Sequence, residues 1–110
     1  MVYHVSVIYP KDSDSTFDMD YYLKTHMPLV AKSWGQYGFQ QYQVIQYNPN
    51  PVDSSEPVFS VKCDLTFKDA ASYKKALESP EAGDVFGDVP KFSNKGPHLV
   101  AGDVKATVQV

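Results

Sequence analysis

Apolar positions along the chain follow two rhythms, and the switches between them divide it into elements. From Val2 to Tyr9 they alternate. Tyr3, Val5, Val7 and Tyr9 form one row and His4, Ser6 and Ile8 the other, which predicts a strand with two unlike faces. Pro10 and the polar run Lys11 to Thr16 end it. Asp18 then offers an N-cap, and the period lengthens: Tyr22, His26, Val30 and Trp34 recur every fourth residue, predicting a helix closed by Gly35 and Gly38. Phe39 to Tyr47 predicts a second, Gln-rich strand, and Asn48 to Glu56, with Pro49 and Pro51, a loop. Alternation is cleanest from Val58 to Phe67. There Phe59, Val61, Cys63, Leu65 and Phe67 oppose Ser60, Lys62, Asp64 and Thr66. Asp69 caps a second helix through Leu77, with Ala70, Tyr73, Ala76 and Leu77 facing inward. Pro80 stops it, Glu81 to Asp88 reads as a short extra helix, and His98 to Val108 as a fourth strand bulged near Gly102 and Asp103.

The order βαββαβ predicts an α+β, ferredoxin-like domain spanning residues 1–110: a four-stranded antiparallel sheet with its helices on one face. Two helices cannot cover both faces. The uncovered one would carry His4, Ser6, Ser60, Lys62 and Asp64 beside Ile8, Val58 and one side of strand two. That surface is too polar for a dry core. A second copy of the sheet, related by a twofold axis, would enclose it as a cavity, so a homodimer is expected.

Composition narrows the function. All ten cations are lysines and the net charge is −3. Without arginine the chain lacks the usual bidentate reader of guanine and phosphate, which argues against nucleic acid as a partner. Cys63 is alone, which excludes an internal disulfide or a cysteine-based zinc site. No run is long enough to span a bilayer, and the start at Val2 reads as a strand rather than a leader, so no membrane association and a cytoplasmic location are expected. His4, His26 and His98 show no compact metal-ligand spacing, and there is no Gly-rich phosphate loop. Neither metal nor organic cofactor is expected.

The stretch Tyr21-Tyr22-Leu23-Lys24-Thr25-His26-Met27-Pro28-Leu29-Val30 interrupts the helical pattern. Pro28 lacks a backbone N–H and biases Met27 away from helical geometry, so the helix should kink or restart beside His26. An imidazole that titrates near neutrality then stands beside freed backbone carbonyls, a place to build a small-molecule site.

This block resembles the EthD-domain family of the dimeric α+β barrel superfamily. The likeness extends through Val5 to Pro10, Phe17-Asp18, Thr25 to Val30, and Asp88-Val89-Pro90-Lys91-Phe92-Ser93-Asn94 with Pro97. The chain departs from the family pattern at Lys91, usually Asn, and Ser93, usually Thr. Strand two and the proline-rich loop match little. The resemblance implies a ferredoxin-like protomer whose sheet pairs with a partner's to close a barrel. The family's prototype is tied to bacterial degradation of a fuel ether beside a cytochrome P450, so members are filed as oxidoreductase-associated. Related barrels include cyclases, isomerases, monooxygenases and decarboxylases, most of them free of cofactor, and fold kinship does not choose among them.

Several side chains are candidates for chemistry. His26 is a general acid or base in one reading, with Tyr22 one turn earlier holding its tautomer or polarising a carbonyl. In the other, His26 is structural and bonds a carbonyl freed by Pro28. His4 and Asp64 would share the open sheet face as substrate-binding groups, or else form an exposed histidine and an ordinary Lys62–Asp64 ion pair at a dimer seam. His4 and His26 lie on opposite sides of the sheet unless the helix end curls over the barrel mouth. Phe86 and Phe92 flank the loop before strand four and are the better aromatic pocket candidates, against plain core packing. The expected function is cofactor-independent proton transfer on a hydrophobic or aromatic small molecule, of lyase or isomerase type or oxidoreductase-associated. The alternatives are an accessory protein that binds a ligand for a partner oxygenase and a purely structural dimer.

Overall fold

The computed structural model describes all 110 residues. Strands β1 (Tyr3–Pro10), β2 (Phe39–Gln46), β3 (Phe59–Phe67) and β4 (His98–Asp103) form one antiparallel sheet in the order β2-β3-β1-β4. This is the ferredoxin-like α+β arrangement, with β1 and β3 central. Alternation sets the two faces as the pattern predicts: Val5, Tyr9, Val61, Cys63, Leu65 and Phe67 are buried under the helices. His4, opposite Thr66, and Ser6, opposite Asp64, occupy the other face.

The first helix is continuous but changes pitch. It opens as a single turn, α1 (Met19–Tyr21), where the Asp18 carboxylate accepts the Tyr21 N–H at 3.0 Å. It widens into a π-helical segment at Tyr22–His26 and runs on as α2 (Met27–Trp34). The expected restart beside His26 is a change of pitch at Met27, with Pro28 in the first turn of α2. The expected bias of Met27 away from helical geometry is not seen, since it keeps helical angles (φ −66°, ψ −37°). In an α-helix the Pro28 ring would collide with the Lys24 carbonyl. The wider turn, in which the Met27 N–H reaches back five residues to the Tyr22 carbonyl, relieves that collision without ending the helix. Tyr22, His26, Val30 and Trp34 all face the sheet and are buried.

A 3₁₀ turn (Gly35–Tyr37) ends at Gly38, whose φ of 89° lies in the left-handed region. A Cβ at this position would stand only 2.7 Å from Ser72 Oγ, so the site has room for glycine alone. Helix α3 (Ala70–Glu78) is capped by Asp69, which accepts the Ser72 N–H at 2.8 Å. Only its Tyr73 and Ala76 turn inward; Ala70 and Leu77, expected there, are exposed, because α3 presents a narrow stripe to the sheet. Helix α4 (Ala82–Gly87) and a 3₁₀ turn (Val89–Lys91) return the chain across the end of α2. Strand β4 stops at Asp103 and is not bulged. Its only neighbour is β1, which begins at Tyr3, so beyond a bond from Val104 N–H to the Val2 carbonyl no strand remains to pair with. No helix is long and apolar enough to cross a membrane.

Candidate functional site

Asp88, just after α4, is the polar centre beneath the helix layer. Its carboxylate meets His26 Nδ1 at 2.9 Å, accepts the Tyr21 hydroxyl at 2.8 Å and lies 3.5 Å from Lys91 Nζ. The His26 and Asp88 side chains are only 5% and 7% exposed. Burial pushes the imidazole below its ordinary pKa, against the pull of Asp88 toward the charged form. Burial also opposes the Asp88 charge, yet hydrogen bonds from His26 and Tyr21 hold its carboxyl below the usual range. In the neutral form, which burial favours, the imidazole donates its Nδ1–H to the carboxylate. Asp88 can only accept, so the tautomer is set and the lone pair sits on Nε2. Nε2 has no hydrogen-bond partner in the protein.

The π-helical turn explains why two side chains five residues apart reach one carboxylate. In a regular α-helix, residues 21 and 26 would point about 140° apart. A turn closed by an i→i+5 bond brings them to the same side. Here Pro28 shapes the site by widening the turn, where a break was expected.

His26 forms part of the wall of an apolar cavity of about 40 Å³ between the helices and the sheet, with Tyr9, Tyr22, Val30, Trp34 and Leu65. That is room for about three water-sized groups. Phe86, 39% exposed, and Leu99 are its most exposed lining residues. Trp34 is 4% exposed, and its Nε1–H is a buried donor without a partner.

The remaining predicted site residues divide between the two sides of the sheet. Tyr22 stacks on the His26 ring (centroids 5.3 Å apart, planes at 17°), so its hydroxyl does not hold the tautomer; Asp88 does. Burial, with Cys63 and Tyr9 beside it, pushes the Tyr22 phenol far up, which keeps it protonated. Burial likewise pushes the Cys63 thiol to about 12, so it stays protonated. Phe92 is buried against the imidazole, with centroids 4.4 Å apart, and Phe86 lines the cavity. His4 and Asp64 are elsewhere. On the uncovered face, Asp64 meets His4 Nε2 at 3.1 Å, Ser6 Oγ at 2.9 Å and Lys62 Nζ at 3.2 Å. The helix does not curl round the sheet, so these groups and His26 do not share a site. No cluster of three or more His, Cys, Asp or Glu side chains could hold a metal ion.

Sequence reasoning gives Asp88 and Tyr21 no role, although both stand in the blocks that resemble the EthD family. The available signal is an acid at the head of the closing segment, in a resembling block separate from the one that holds His26.

Comparison with known proteins agrees with this architecture. No curated protein sequence matches the chain significantly. An EthD-like protein from Ralstonia eutropha JMP134 shares 24% identity over 96% of this chain and 93% of its own, with a TM-score of 0.86. SnoaB, a cofactor-independent oxygenase from Streptomyces nogalater, matches at 12% identity over 97% and 95% of the two chains, TM-score 0.61. A dimeric ferredoxin-like protein of unknown function from Jannaschia sp. CCS1 matches at 17% over 94% and 98%, TM-score 0.62. The EthD domain model matches residues 11–96, and the chain belongs to the EthD family.

Proposed function

We propose that the chain is a cofactor-independent enzyme of small-molecule metabolism in which His26 moves a proton on an apolar, carbonyl-bearing compound. One observation carries the reading: a buried imidazole, held through Nδ1 by Asp88 and unpartnered at Nε2, in the wall of an apolar cavity. Nε2 takes a proton from carbon next to the carbonyl, and the C–H electron pair passes into the carbonyl as an enolate. The imidazolium so formed faces the Asp88 carboxylate, which stabilises it and acts as the positioning residue. Return of the proton to another atom of the enolate completes an isomerase step. In a lyase step the enolate electron pair instead expels a substituent on the neighbouring carbon, and the imidazolium gives its proton to that leaving group. Tyr22 and Phe92 hold the imidazole plane, Phe86 borders the ligand, and the oxygenase activity of the similar SnoaB fold supports chemistry without a cofactor.

His4 and Asp64 belong, in this reading, to a homodimer seam on the uncovered face, supported by the dimeric Jannaschia neighbour. The unpaired thiol of Cys63 suits a reducing cytoplasm. The second reading is a ligand carrier for a partner oxygenase, favoured by the predominantly apolar lining of the cavity. Replacing His26 by Gln separates the two. Unchanged conversion of an identified substrate removes His26 from the chemistry, while bound ligand with no conversion by the native protein supports the carrier.

A further inference from the structure

Trp34 Nε1–H is a buried donor with no acceptor, and its indole borders the same cavity as His26. A buried N–H left unpaired costs about 1–3 kcal/mol, so its retention calls for a partner that the protein itself does not supply. An indole used only for packing has no need of that nitrogen. Trp34 packs on Phe67 at 6.1 Å on one side and edge-on to Phe86 at 5.9 Å on the other. Phe86 is part exposed, so a ligand entering past it uncovers the edge of the indole.

We infer that Trp34 Nε1–H binds a hydrogen-bond acceptor on the ligand and selects for molecules that carry one at the end remote from His26. The inference rests on the reading of this cavity as the ligand site. Geometry sets the class of ligand. His26 and Trp34 lie on one helix face two turns apart, about 12 Å along the axis. One carbonyl cannot serve both. The molecule is therefore elongated and apolar, with its reacting carbon at the His26 end and a carbonyl or ether oxygen at the Trp34 end. Phe86 and Leu99 must give way to admit it, since the cavity as it stands is smaller than such a molecule.

Trp34 is the only tryptophan, so its indole N–H gives one resolved NMR signal. Acetophenone and α-methylstyrene serve as probes of matched shape, the second replacing C=O by C=CH₂. Acetophenone is expected to bind saturably and move the indole N–H signal downfield. Trp34→Phe, which keeps an aromatic ring but removes the donor, should weaken acetophenone about tenfold and α-methylstyrene less than twofold. Absence of saturable acetophenone binding, an unmoved signal, or equal weakening of both probes would overturn the assignment. An indole signal already downfield and indifferent to acetophenone gives the donor to trapped water, and also overturns it. His26→Gln should keep the preference for acetophenone, so loss of the His26 mechanism and loss of the Trp34 assignment are separate results.

Discussion

Two aspartate–histidine pairs lie on opposite faces of one sheet at nearly the same distance, 2.9 Å for His26–Asp88 and 3.1 Å for His4–Asp64. Their surroundings differ. His26 and Asp88 are 5% and 7% exposed, and the only cation near them is the largely exposed Lys91 at 3.5 Å. His4 and Asp64 are 41% and 17% exposed, and Lys62 and Ser6 already satisfy the carboxylate. Burial works against the charge on Lys62, but Asp64 outweighs it and leaves the ammonium above its ordinary pKa. On the open face, then, lysine neutralises the carboxylate and the imidazole is one contact among several. Under the helices the imidazole is the principal partner, and its tautomer follows. Distance alone does not distinguish the pairs; seclusion does, with the one nearby cation, Lys91, largely exposed to water.

The sharpest way to break this contrast is a matched pair of substitutions. His26→Gln should lower turnover by about 10²- to 10⁴-fold with the fold intact by circular dichroism, while His4→Gln stays within about twofold. Equal losses would erase the distinction between the faces. Stability supplies the next test, by urea titration. Asp88→Ala strands a buried imidazole and a tyrosine hydroxyl and should cost about 3 kcal/mol. Asp64→Ala should cost about 1 kcal/mol, because water reaches its partners.

Acid tests the buried pair directly. The His26 pKa lies below its ordinary value of 6.5 in the folded state, so the unfolded chain takes up this proton first. Stability should therefore fall as pH drops below about 6.5 and level off once the folded imidazole charges too. Asp88, held below 3.8, adds a second loss below that pH. His26→Gln should flatten the first step, as measured by thermal melts across pH. The smallest effect is expected from Tyr21→Phe. Loss of its bond to Asp88 should lower the melting temperature only slightly and move the acid limb of the turnover profile without abolishing activity.

Much of this architecture is legible in the chain. Alternation in β1 and β3 and the four-residue spacing of Tyr22, His26, Val30 and Trp34 identify the inner faces, because burial on one side leaves a period in the residues. Asp88 leaves no such trace. It is 62 residues from His26, and only the return of α4 across α2 brings them together. Pro28 misleads for a related reason: its effect depends on whether the helix breaks or widens, and packing against the sheet favours the second. The orphan donor of Trp34 is likewise invisible until the neighbours of its indole are known.

A widened turn of this kind is an extra residue absorbed into a helix, and this has a consequence for comparing related chains. Leu23, Lys24 and Thr25 are all exposed within it, so a relative that also lacks the proline could lose one of them without losing a core side chain, although the residue at the Tyr22 position would have to repack. Its helix would become regular, and His26, Val30 and Trp34 would keep their spacing while the residues before them rotated by about 100°. Such a relative would lose the equivalent of the Tyr21–Asp88 bond while every residue after the gap still aligned. An alignment that moves the gap into the preceding loop would pair the wrong tyrosines and hide that loss.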